Sequence, residues 1–321
     1  MAYLEIFVGL VCLVLGGDAL VRGAVGTAAH LKISPLVTGL VLVGFGTSMP
    51  ELVTSLNAAL HGSDGIAIGN VIGSNIANIL LILGLTAAIT PIPAEPQAFK
   101  RDAPMLAIAT PACVLIAFSG GFGRVTGAAF ILLLAAYVCF IYIKERAQKD
   151  PQAKLHAEEP ALYDARPQVI WLSALLAGGG IVILIIGADQ MVSGSIQVAQ
   201  AIGVSETVIG LTIVAVGTSL PELATSIVAA FRKQTDIALG NIIGSNIFNA
   251  LGIVGVTAAV SPLVIPANTL TYDLWALLVA TALLLFFAFT DSRISRREGA
   301  IFLTLYGAYM ILLSARALNA A

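Results

Sequence analysis

Glu51 and Glu222 each lie deep in a long apolar run, behind the same pattern: G-T-S-M-P-E from Gly46 and G-T-S-L-P-E from Gly217. A carboxylate held in apolar surroundings costs about 3 kcal/mol or more unless a proton, a basic side chain or a cation balances it. Neither run places a Lys or Arg near its glutamate, which leaves the proton and the cation. The neighbours favour the cation. Thr47, Glu51 and Ser55 are four residues apart and share a helix face, as do Thr218, Glu222 and Ser226. In the next run Asn70, Ser74 and Asn78 repeat that spacing, matched by Asn241, Ser245 and Asn249. One such stripe is also what hydrogen bonding between helices would produce. Four of them, neutral apart from two carboxylates, suit a cavity lined with oxygens, which Ca²⁺ and Na⁺ prefer; a soft metal would ask for Cys or His.

The backbone next to these residues is expected to break. Pro50 has no N–H for the carbonyl of Gly46 and crowds it, and Pro221 does the same at Gly217. Local unwinding would turn carbonyls around Gly44 to Thr47 and Ala215 to Thr218 into further oxygen ligands. Asp18 and Asp189 stand nearer the ends of their runs, and Asp18 can pair with Arg22 at i, i+4; both read as structural.

The elements that must hold these residues are membrane helices. Of the 321 residues 58% are hydrophobic and only 11% charged, against about 25% charged in a soluble domain. Mean hydropathy is +0.97, and a net charge of −2 suggests no nucleic-acid partner. Runs of about 17–25 residues, enough to cross a bilayer, fall near 3–23, 34–60, 66–90, 103–119, 125–143, 168–188, 205–231, 237–260, 273–290 and 300–314. The first of them has no basic leader or cleavage site and reads as a membrane helix. With the N-terminus outside, 14 of the 16 Lys and Arg fall in inside connections, leaving only Arg124 and Arg316 outside. That bias supports the span count and places both termini outside, with the polar stretch 144–167 as a cytoplasmic linker. Cys12, Cys113 and Cys139 all sit in apolar runs and form no disulfide or metal-ligand pattern.

The chain also repeats itself. At an offset of 171, positions 46–80 share 21 identities in 35 positions with the second half, without a gap. Five spans in each half is an odd number, so the second copy must enter the membrane from the opposite side. The expected fold is an all-α membrane protein of ten transmembrane helices in two inverted-topology five-helix repeats, 1–143 and 168–321, with broken helices 2 and 7. Substrate sites of transporters built this way lie near the midplane between the repeats.

The paired G-T-S-x-P-E and G-N-x-x-G-S-N signatures resemble the α-repeats of the sodium/calcium exchanger family, in the cation/Ca²⁺ antiporter superfamily, over essentially the whole chain. The resemblance implies a secondary antiporter, not an enzyme, that exchanges Ca²⁺ for Na⁺ by alternating access without a cofactor, with inorganic cations and membrane lipid as its partners and a monomer sufficient for transport. By motif position it implies side-chain ligands Thr47, Ser48, Glu51 and Ser74 from one half and Thr218, Ser219, Glu222 and Ser245 from the other. The carbonyls of Gly44 and Ala215 would join them, with Asn78 and Asn249 at the polar centre. Asn at both of the last positions, where potassium-dependent relatives are among those carrying Asp, implies K⁺-independent exchange. Proton-coupled relatives typically resemble G-N-x-x-E instead, yet a proton-coupled or other divalent-cation antiporter of the same fold stays open, as does a cation channel. An intramembrane hydrolase using Ser48 or Ser219 lacks a general base, since His30, His61 and His156 are all expected in connections.

Overall fold

A computed structural model describes residues 1–31, 33–94, 96–147, 169–201, 215–265, 271–290 and 292–320. It is helical almost throughout. Helix α1 (Ala2–Leu31) is followed by α2 (Pro35–Thr38), a π-helical turn (Gly39–Val43), α3 (Gly44–Thr47) and α4 (Met49–Leu60). Next come α5 (Asp64–Ile76), a second π turn (Ala77–Leu83), α6 (Gly84–Ile89), α7 (Pro96–Phe118) and α8 (Arg124–Ala147). The second half runs through α9 (Ile170–Ala201), α10 (Ala215–Gly217), α11 (Leu220–Phe231) and α12 (Thr235–Ile247). A third π turn (Phe248–Ile253), α13 (Val254–Val260), α14 (Thr271–Thr290) and α15 (Arg296–Ala320) complete it. Among the described residues eight helices are long and apolar enough to cross a membrane, nine with the span that is bent by 42° between Leu36–Thr47 and Met49–Leu60. The expected seventh span survives as Ala215–Gly217 and Leu220–Phe231; its first part, at 202–214, lies outside the described residues, as does most of the linker.

Two boundaries move most. The first span, expected at 3–23, continues to Leu31 and takes His30 into its last turn; the sixth, expected at 168–188, runs to Ala201. The reason is their packing on each other. Gly9, Gly16 and Gly23 recur every seven residues in α1 and meet Gly187, Gly180 and Ala177 of the antiparallel α9. A Cβ on Gly16 would lie 2.8 Å from the Leu184 amide nitrogen and 2.9 Å from the Gly180 carbonyl. Backbones that close draw cohesion from van der Waals contact along the whole pair, so both helices outlast the hydrocarbon core. The pair has its own apolar cluster, Leu13, Leu20, Val21 and Leu184, seated on Val43, Ala229 and Ile237. Its outer faces carry exposed Phe7, Val14, Leu15, Val182 and Ile186, which suit lipid.

The remaining helices share one larger core, and in it the two halves interlock. Helix α15 packs on α6 and α8 on α13, so the last helix of each half closes on the other half. Two short antiparallel strand pairs repeat the exchange. β1 (Ile92–Pro93) pairs with β4 (Arg293–Ile294), and β2 (Gly121–Phe122) with β3 (Leu263–Val264). The spans Asp64–Ile89 and Thr235–Val260 end up innermost, 72% and 89% buried against 11% for Arg296–Ala315. These innermost spans carry the two Asn/Ser stripes.

Candidate functional site

Each glutamate sits in the first turn of a helix that starts at a break. In the first half the break is one residue: Ser48 turns the chain (φ −83°, ψ 9°) between α3 and α4, with Pro50 where no N–H is required of it. Ser219 adopts φ −88°, ψ 8° in front of α11, with Pro221 in the same place. The backbone therefore bends without unwinding over 44–47, which corrects the expectation drawn from the prolines. Helix α3 remains hydrogen bonded: Ser48 N–H donates to Gly44 O at 3.3 Å, and the Ser245 hydroxyl reaches that carbonyl at 3.1 Å. A helix starting directly at the glutamate directs its partial positive end at the acid.

Both glutamates are fully buried, and each is held from the opposite half. Ser48 Oγ donates to Glu222 Oε1 at 2.7 Å, and Ser219 Oγ donates to Glu51 Oε1 at 3.3 Å. Among the described residues the second oxygen of each carboxylate, Oε2, has no hydrogen-bond partner. The ion pairs found lie elsewhere: Asp18 with Arg22 at 2.8 Å and with Arg232, and Arg101 with the buried Asp102 at 2.8 Å. No three His, Cys, Asp or Glu side chains cluster among the described residues. Among the described residues, negative charge at the centre therefore comes from the two glutamates alone.

Neutral oxygens surround them. Ser74 Oγ and the side-chain amides of Asn78 and Asn249 are buried and lack hydrogen-bond partners among the described residues. Asn78 and Asn249 lie in the π turns, which the sequence reading did not anticipate. Each π turn packs against the glutamate-bearing helix of the other half, Ala77–Leu83 on α11 and Phe248–Ile253 on α4. Phe248 stacks on Phe45 beside the first break, ring centroids 4.5 Å apart. Thr47, fully buried, donates to Asn241 Oδ1 at 3.2 Å; the half-buried Thr218 donates to Asn70 Oδ1 at 3.4 Å. Gly44 lies against α12, where an added Cβ would be 2.9 Å from the Ser245 nitrogen. Ala215 opens α10.

Apart from Ala215, the expected ligand residues thus fall into three groups. Ser48, Ser219 and the two glutamates form a cross-linked centre. Thr47, Thr218, Gly44 and Ser245 join it through hydrogen bonds between the halves. Ser74, Asn78 and Asn249 are buried polar groups with capacity to spare. The sequence reading missed the Asp18–Arg232 contact between α1 and the end of α11, and the buried Asp102, which accepts from Tyr137 Oη at 3.2 Å. An offset of 171 aligns Asp102 with Asp273, which accepts from Tyr309 Oη at 2.9 Å; that match was the available signal.

A carboxylate pair buried without basic partners among the described residues and ringed by neutral oxygens fits hard cations. Comparison with known proteins agrees. The family model for the sodium/calcium exchanger protein matches residues 1–143 and 172–315. CaxA of Alkalimonas amylolytica is 37% identical, with 98% of each chain covered. The sodium/calcium exchanger MaX1 of Methanosarcina acetivorans is 35% identical over 97% of this chain and 98% of its own. The solved sodium–calcium exchanger NCX_Mj, soaked with Na⁺ and Ca²⁺, superposes with a TM-score of 0.82 at 32% identity over 97% of both chains. The model match and these relatives place the chain in the sodium/calcium exchanger family.

Proposed function

We propose that this cation/Ca²⁺ antiporter exchanges Ca²⁺ for Na⁺ across the cell's plasma membrane, electrogenically and without K⁺, at a site formed by Gly44, Thr47, Ser48, Glu51, Ser74 and Asn78 together with Ala215, Thr218, Ser219, Glu222, Ser245 and Asn249. The observation that carries this reading is the reciprocal arrangement of the acids. Each is buried, each takes one hydroxyl from the opposite half, and each keeps one oxygen without a hydrogen bond.

The charge arithmetic gives the exchange. Two ionised glutamates amount to −2, which one Ca²⁺ balances, and several Na⁺ spread over the same oxygens balance it too. Both loads need Glu51 and Glu222, so one excludes the other. An empty, doubly charged centre resists enclosure in low dielectric, and the transition between the two open states belongs to the loaded protein. The repeats 1–143 and 168–321, inserted with opposite topology as ten spans with both termini outside, would supply the two mirror-related states. The linker 144–167 joins them on the cytoplasmic side. The reciprocal contacts between halves support that arrangement, and one chain contains the whole site.

Purified protein in liposomes tests the reading. An outward Na⁺ gradient is expected to drive radioactive calcium uptake, and Glu51→Gln or Glu222→Gln to abolish it while the protein still folds. Uptake that follows a pH gradient and ignores Na⁺ would make H⁺ the counter-ion. Undiminished uptake in both variants would remove the site.

A further inference from the structure

We propose that Asn70 and Asn241 are positioning residues for exchange, each tying the break of its own half to the threonine hydroxyl of the other and fixing where that hydroxyl's proton points. The inference rests on the functional reading above and adds two residues outside its ligand set.

The hydrogen bonds fix which way each amide faces. Asn70 Nδ2 reaches the main-chain oxygen of Glu51 at 3.2 Å and Ser55 Oγ at 3.0 Å. The first can only accept. The second gives its own proton to Ala67 O at 3.0 Å, so it accepts from Asn70 as well. With both amide protons committed, Oδ1 is the atom that meets Thr218, and the threonine must donate. Asn241 repeats this pattern. Its Nδ2 reaches Glu222 O at 3.4 Å and Ser226 Oγ at 3.0 Å, and its Oδ1 takes Thr47 Oγ1 at 3.2 Å. Asn70 aligns with Asn241 at the offset of 171, so the sequence duplication is a duplication of hydrogen bonds too.

The consequence differs for the two hydroxyl types. Ser48 and Ser219 spend their protons on the glutamates. The single proton of the Thr47 hydroxyl instead faces Val43 O at 3.0 Å, Asn241 Oδ1 at 3.2 Å and Gly44 O at 3.4 Å. A hydroxyl whose proton points away leaves its lone pairs for a cation; one whose proton points at the carboxylate competes with that cation. Groups that orient ligands in this way are worth about 10- to 100-fold in metal affinity.

The test measures, in liposomes, the Ca²⁺ concentration that half-saturates Na⁺-driven uptake, with thermal melting in detergent alongside. Asn70→Ala and Asn241→Ala are each expected to raise it about 10-fold, with the maximal rate largely kept. In a double-variant cycle, Asn70→Ala added to Thr218→Val is expected to raise it no further, because the asparagine acts through that hydroxyl; Asn241→Ala with Thr47→Val supplies the same cycle in the other half. Wild-type half-saturation in the folded single variants, or effects that multiply in both cycles, would overturn the proposal. So would failure of both single variants to fold, which assigns these residues to stability. A wild-type protein that shows no Na⁺-driven uptake would instead defeat the functional reading, before any asparagine is changed.

Discussion

At the scale of single residues, the centre is asymmetric in a way the repeat does not reveal. Ser48 lies 2.7 Å from Glu222, whereas Ser219 lies 3.3 Å from Glu51. Ser245 donates to Gly44 O at 3.1 Å, while its counterpart Ser74 has no hydrogen-bond partner among the described residues. A hydroxyl bound to an ionised carboxylate is worth about 1.5–3 kcal/mol, and the shorter bond is the stronger one. Ser48→Ala is therefore expected to destabilise the ion-free protein more than Ser219→Ala does. Thermal melting in detergent without Na⁺ or Ca²⁺ checks the order; equal losses would mean that the two contacts are equivalent in the working protein. The residue types and their spacing were legible in the sequence because a carboxylate inside an apolar run is conspicuous wherever it lies. Which hydroxyl serves which acid was not legible, since partners 168 and 174 positions apart carry no periodic signal.

Elements decide how closely those residues can meet. Helix α12 delivers Asn241 and Ser245 to the first half only because glycine lets it approach: a Cβ on Gly244 would stand 2.1 Å from the Leu40 carbonyl oxygen. Backbone cannot rotate aside as a side chain can. Gly244→Ala is expected to push α12 away from the π turn, costing about 1–3 kcal/mol and loosening the Ser245–Gly44 and Asn241–Thr47 bonds together. Melting in detergent should fall and transport should fall with it; a variant with unchanged stability and rate would show that this contact relaxes freely. Gly240 and Gly244 stand four residues apart, a spacing that suits close helix contact, but the sequence does not name the partner they meet. The π turns were hidden because Ala77–Leu83 and Phe248–Ile253 read as uniformly apolar except for Asn78 and Asn249. A wider turn leaves no mark on such a run.

For the whole molecule, the proposed electrogenic exchange, with more than two Na⁺ for each Ca²⁺, would move net charge in every cycle. A membrane potential of about 100 mV acting on one charge is worth about 2.3 kcal/mol, so a potential alone should drive Ca²⁺ against equal concentrations of both ions. An imposed K⁺ diffusion potential in liposomes checks this. Flux that ignores the potential would require a neutral exchange, two Na⁺ per Ca²⁺. The interlocked halves suit such a cycle. Reciprocal clasps of α15 on α6 and α8 on α13 hold a common body, while α1 and α9 form a separate pair with an apolar cluster of its own.

The sequence by itself determined that the chain crosses a membrane many times, that it is doubled, and that Glu51 and Glu222 are acids with no basic neighbour. These properties are local or periodic: composition, hydropathy and self-similarity survive when the chain is read as a line. Only the tertiary structure decided that each break is a bend at one or two residues, that the serines serve the acids of the opposite half, and that Asn70 and Asn241 hold both halves at once. Those facts depend on contacts between segments far apart in sequence, whose geometry follows from packing and from the hydrogen bonds that buried polar groups make across it.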